Sequence, residues 1–206
     1  MSAHKQKDYP AALKKFSLSA ARGNAEAQNW LGSMYERGEG VARDDETAAK
    51  LYQLAAAQGH AAAQNNLGGM YIVGQGLEQD HSKGFKWIKR SALQGNIDAQ
   101  INLGICYELG QGVEPDPVQA FHWTRRAAEQ GDAYAQLAVS EAYREGDGVR
   151  QDYVQAYMWI TLSDEAGEKR AKVAKEAIGE QMTPELISLA TKKAGACKAR
   201  HFKNCE

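Results

Sequence analysis

A segment beginning at Gly23, GNAEAQNWLGSMYERGEGVARDD, recurs from Gly59, Gly95 and Gly131, and Gly167 marks the next boundary, so the chain repeats every 36 residues. A unit of that length cannot bury its own apolar face. Copies must stack, and such stacks usually work by presenting one long surface to a partner. The sequence therefore predicts an all-α chain, an α/α solenoid or superhelix of four helix-turn-helix repeats, with residues 1–206 forming one repeat domain. The expected divisions are a half-repeat at 4–22, repeats at 23–58, 59–94, 95–130 and 131–166, and a cap and tail at 167–206.

Within each unit an Ala-Gln pair leads, at Ala27-Gln28, Ala63-Gln64, Ala99-Gln100 and Ala135-Gln136. Leu31, Leu67, Leu103 and Val139 follow four residues after the alanine, and Tyr35, Tyr71, Tyr107 and Tyr143 four residues later, which keeps one helical face apolar. This is helix A. It should end at the glycine pairs 38/40, 74/76, 110/112 and 146/148, where glycine can close a helix. Asp44, Asp80, Asp116 and Asp152 stand where an N-cap acceptor is wanted, ahead of helix B with its Leu51, Trp87, Trp123 and Trp159. The recurrence of the three tryptophans at one helix B position assigns them to the core. The fourth unit departs from the pattern at Val139, Ser140 and Ala142, and residues 168–182 and 185–194 read as two capping helices, with Thr183-Pro184 opening the second.

The motif A-Q-x-x-L-G-x-x-Y-x-x-G-x-G-V followed by D, A and W resembles the Sel1-like repeat family, bacterial relatives of tetratricopeptide repeats. The resemblance covers Gly23 to about Gly167, and DYPAALKKFSLSAARG from Asp8 reproduces helix B of a preceding unit. A chain that starts inside a repeat suggests that the native polypeptide extends upstream, with an export signal removed. In tetratricopeptide relatives ligand peptides lie against helix A on the concave side, and the resemblance implies the same face here.

On a helix with Ala27, Leu31 and Tyr35 buried, positions 26, 30, 33 and 37 form a separate stripe. It carries Glu26, Trp30, Ser33 and Arg37 in the first unit, then Ala62, Asn66, Gly69 and Val73, then Asp98, Asn102, Ile105 and Leu109, and finally Tyr134, Ala138, Glu141 and Glu145. Asn66 and Asn102 each offer a carboxamide to a peptide backbone or, alternatively, to an adjacent helix. Trp30 supplies a large amphipathic anchor or packs on the preceding half-repeat helix. Val73, Ile105 and Leu109 give an apolar floor, and Glu141 with Glu145 an acidic end. A mixed, partly apolar protein segment is the expected ligand.

A net charge of −1 gives no basic field for nucleic acid, and no apolar run approaches the roughly 20 residues of a membrane-spanning helix. The repeated glycines connect helices, unlike nucleotide-binding loops, which follow a strand. The five histidines share no metal-ligand spacing with one another or with cysteine, so no cofactor and no metal is expected. Cysteine-rich members of the family are linked to penicillin binding and β-lactam hydrolysis, but the S-x-x-K of this chain is Ser2 to Lys5, without SDN or KTG. Cys106 occupies an apolar repeat position and reads as a buried, unpaired thiol.

Cys197 and Cys205 flank KARHFKN. A continuous helix would hold their Cα atoms about 12 Å apart, too far for a bridge. A chain that turns back after Lys198 would allow one, contributing about 2.5 kcal/mol, and would place the protein in an oxidising compartment such as the periplasm; a reduced cytosolic pair is the alternative. The sequence thus points to a monomeric, non-catalytic protein-binding scaffold of the bacterial envelope. The alternative is an immunity protein occluding a secreted effector such as a phospholipase, the role of some family members.

Overall fold

In the computed structural model residues 9–203 and 205 are described; the Ser2–Lys5 pair, His4 and Asp8 lie outside them. Among the described residues there are eleven helices and no strand. They fall into two compact units, divided between Asn96 and Ile97. The first holds α1 (Tyr9–Ala21), α2 (Ala25–Arg37), α3 (Asp45–Ala57), α4 (Ala61–Val73) and α5 (His81–Leu93). The second holds α6 (Ile97–Leu109), α7 (Pro117–Ala128), α8 (Ala133–Glu145), α9 (Tyr153–Glu165), α10 (Ala171–Gly179) and α11 (Pro184–Ala199).

Helices A are α2, α4, α6 and α8, each packed on the helix B that follows it; α1 packs on α2, α3 on α4 and α7 on α8. The core of the first unit runs through Ala48, Tyr52, Ala63, Leu67 and Met70. That of the second gathers Leu137, Val139, Met158, Trp159, Ile160 and Ile178. The Leu-Gly pair brings the two helices of a repeat together: a Cβ on Gly68 would stand 2.6 Å from Ile88 Cγ1. In the fourth repeat the equivalent Ser140 instead donates to the Ala156 carbonyl at 2.7 Å.

The Ala-Gln signature has a structural cause that spacing did not reveal. Gln28, Gln64 and Gln136 each donate a side-chain N–H to the end of the preceding helix B, at Ala20, Ala56 and Ala128. Their oxygens are wanted by a glutamine 30 residues on, as Gln58 donates to Gln28 at 2.8 Å, Gln94 to Gln64 at 2.7 Å and Gln130 to Gln100 at 2.7 Å. A buried carboxamide must be satisfied, and this ladder satisfies it. Ala166 stands at the fourth position, where Gln136 Oε1 is left without a hydrogen-bond partner. The repeat therefore stops there in chemistry as well as in pattern.

Each loop is pinned at both ends. The backbone N–H groups of Asp44, Asp80, Asp116 and Asp152 donate to the carbonyls of Tyr35, Tyr71, Tyr107 and Tyr143, while their carboxylates accept from Thr47, Lys83, Gln119 and Gln155 in the first turn of helix B. Hydrogen bonds from the Thr47 hydroxyl and backbone hold the Asp44 carboxyl below the usual range, and those from the Lys83 backbone and ammonium do the same for Asp80. A depressed folded-state pKa stabilises the fold above the unfolded value of about 3.9, and that contribution is lost as pH falls through the folded value. Asparagine also caps well but does not titrate. Thermal unfolding of an Asp44→Asn, Asp80→Asn variant should accordingly decline less steeply than wild type below about pH 4; equal slopes would remove the caps from the acid response.

The capping helices differ from the sequence expectation in their bounds. α10 is shorter than 168–182, and α11 runs past 194 to Ala199 before the chain reverses through His201 and Phe202, whose φ values are 53° and 60°. That reversal brings Cys197 and Cys205 into a disulfide with Cα atoms 4.9 Å apart, both cysteines buried. Phe202 packs against Gly131 and the core of the second unit. Cys106 is a free, buried thiol whose pKa burial pushes up to about 11.

Assignment of all three helix B tryptophans to the core needs correction at Trp87. Trp159 is wholly enclosed and Trp123 nearly so, whereas Trp87 is only partly buried, with the Arg90 guanidinium 4.6 Å from its ring centre.

Candidate protein-interaction surface

The stripe on helix A follows from the helix period, and in both units its positions face outward. None of the sixteen stripe residues is buried, although the Ala, Leu and Gln between them are. In the first unit Trp30 is 50% exposed and lies parallel to the Phe16 ring at 6.2 Å, so it both packs on the half-repeat helix and presents a face outward. Ser33 is half-buried and Arg37 exposed beside it. Asn66 donates from Nδ2 to Asn29 Oδ1 at 3.1 Å, tying α4 to α2, while Val73 is fully outward. In the second unit Asn102 and Ile105 are half-buried, and Leu109, Glu141 and Glu145 are exposed. Glu145 pairs with its neighbour Arg144.

Two grooves lie along this stripe, each between a helix B and the helix A that follows. In the first unit a groove of about 380 Å³ is lined by Tyr9, Ala12 and Phe16 of α1, by Trp30, Ser33, Met34 and Arg37 of α2, and by Glu39. In the second unit a cleft of about 210 Å³ lies between α7 and α8. All eight residues of the first groove have counterparts 108 residues on, three repeats later, in the lining of the second: Ala138 stands for Trp30, Glu141 for Ser33, Glu145 for Arg37 and Asp147 for Glu39. The groove is thus a property of the repeat, and its chemistry a property of the individual unit.

Helix A periodicity found one wall of each groove and missed the other. Tyr9 and Phe16, and later Pro117 and Phe121, come from helix B, and Glu108 from the end of α6. Applying the same 36-residue register to helix B would have found them. Among the described residues no group of histidine, cysteine and carboxylate side chains could hold a metal ion, and no helix is long and apolar enough to cross a membrane.

Paired helices in register, with a variable stripe beside a buried signature, define an α-solenoid repeat protein. The chain belongs to the Sel1 repeat family, whose pattern matches residues 25–60, 61–96, 97–132 and 133–163. Its fold is similar to that of a protective antigen present in uropathogenic Escherichia coli strains, which displays an SLR fold, at 32% identity and a TM-score of 0.88. That match covers 98% of this chain but 44% of the antigen, so the chain spans less than half of that protein's length. A Sel1 repeat protein from Oxalobacter formigenes matches at 29% identity and a TM-score of 0.76, over 86% of this chain and 75% of its own. An immunity protein from Pseudomonas aeruginosa shares the fold at 20% identity and a TM-score of 0.53, over 92% of this chain and 74% of its own. No curated protein matches the chain significantly. Folds of this family are generally protein-interaction scaffolds.

Proposed function

We propose that the chain binds a segment of a partner protein against the outward stripe of its A helices and catalyses nothing. One observation carries this reading: no residue of the stripe is buried in any repeat while its side chains change from repeat to repeat, and it includes a half-exposed tryptophan at the mouth of a groove. Half-exposed tryptophan beside arginine is the composition of an energetic anchor at protein interfaces. The Cys197–Cys205 bond supports an oxidising compartment such as the periplasm. In the narrower version of this reading the partner is a toxic secreted enzyme occluded by the same surface, a role suggested by the immunity protein that shares the fold.

A photo-crosslinking side chain placed in turn at Trp30, Asn102 and Glu141, and at the exposed helix B residues Leu54 and Leu93 as controls, tests the reading in envelope extract. Crosslinks to one partner from the stripe positions alone are expected, with Trp30→Ala weakening capture by about tenfold or more. Crosslinks from Leu54 and Leu93, or none from the stripe, would refute it. Inhibition of the captured partner's enzymatic activity would single out the immunity role.

A further inference from the structure

We propose that the cleft between α7 and α8 receives an arginine or lysine side chain of the partner protein, an inference that rests on the interaction surface above and adds the chemistry of one contact. The cleft is smaller than the roughly 300–1,000 Å³ of small-molecule sites and suits a single long side chain. Its walls are aromatic and apolar at Phe121, Tyr134 and Val139, and its charged lining is acidic, with Glu108, Glu141, Asp147 and Glu145, the last paired with Arg144 beside the cleft, while Thr124 adds one neutral hydroxyl. Carboxylates around aromatic rings recognise a cation on an aliphatic stem, because the stem is desolvated against the rings while the charge meets its counter-ions.

Two further observations point to the same occupant. The chain's near-neutral total conceals a segregation: residues 97–166 carry twelve acidic against four basic side chains, a net charge of −8, whereas the rest of the chain is net positive. The cleft sits inside that acidic stretch, so a cationic segment is steered towards it. The chain also offers its own guanidinium at the rim. Arg170, ion-paired first with Glu168, lies over the Tyr134 ring at 5.4 Å and within electrostatic reach of Glu141. The register-equivalent groove of the first unit, with Ser33 and Arg37 in place of Glu141 and Glu145, lacks this chemistry and serves as an internal control.

The test is a ¹⁵N-detected titration of the full chain with the blocked peptide acetyl-Ala-Arg-Ala-amide, against acetyl-Ala-Glu-Ala-amide. Shifts concentrated on the amides of 118–124 and 134–147 are expected for the arginine peptide only, with affinity falling about tenfold in a Glu141→Gln, Glu145→Gln variant of unchanged circular dichroism. Shifts spread over the whole acidic surface and retained by that variant would overturn the proposal. So would loss of binding in Arg170→Ala, which would place the peptide on the cap rather than in the cleft. If the peptide fails while crosslinks from the stripe still capture a partner, the cleft is wrong and the interaction surface stands; if the stripe crosslinks fail, the surface itself is wrong.

Discussion

Replacing Gly148 by alanine is expected to destabilise the second unit by about 3–4 kcal/mol, read from urea unfolding of the full chain. Gly148 has φ 66°, and a Cβ built on it would lie 2.0 Å from the carbonyl oxygen of Pro117 and 2.5 Å from the carbonyl carbon. The left-handed conformation alone costs a non-glycine residue about 1–2 kcal/mol. The clash adds to this because the obstructing atoms are backbone in the first turn of α7 and cannot rotate away, so the loop must lift from the helix it closes against. Gly146, two residues earlier, separates the two contributions. Its φ is 78°, but its nearest Cβ contact is 3.3 Å, to Gln151 Cβ, so only a small shift is needed. Gly146→Ala should therefore cost only about 1–2 kcal/mol. Equal costs at the two positions would show that backbone conformation, not close approach to the neighbouring repeat, dictates the second glycine.

Trp159→Ala should cost about 3–5 kcal/mol, and Trp87→Ala about 1–2 kcal/mol, although the two occupy the same repeat position. Trp159 has no solvent exposure and packs among α8, α10 and α11 around α9, so truncation opens a cavity that three neighbouring helices must collapse to fill. Trp87 is partly exposed, and part of its surface is already shared with Arg90. Because α10 and α11 dock on α9, hydrogen exchange in α11 should also quicken in Trp159→Ala while the Cys197–Cys205 bond remains intact. Unchanged protection in α11 would mean that the cap docks independently of the indole.

Much of the local structure was legible because a 36-residue period averages out the ambiguity of any single helix. Four copies of the aspartate cap and the loop glycines, with the buried leucine in three and Val139 in the fourth, agree on one answer. The cysteine pair shows where legibility ended. Spacing excluded a bridge within one helix and required a reversal, but the reversal is made by His201 and Phe202, and although histidine is enriched among non-glycine residues at positive φ, nothing in the spacing placed the turn at these two. The tryptophans show the same limit. Identical register predicted identical burial, yet Trp123 and Trp159 are enclosed and Trp87 only partly so, because burial depends on the side chains packed around each ring, which the period does not contain.

The interaction surface divides along the same line. The order of helices, their caps and the outward stripe follow from amino-acid sequence alone, since they depend on spacings of three and four residues within a helix and on a pattern that recurs every 36 residues. The grooves, the glutamine ladder that ends at Ala166 and the acidic cleft beside Tyr134 were decided by tertiary structure. Each depends on how closely one helix packs on another, within a repeat for the Gln130–Gln100 bond and between successive repeats for the cleft, a quantity that periodicity does not contain.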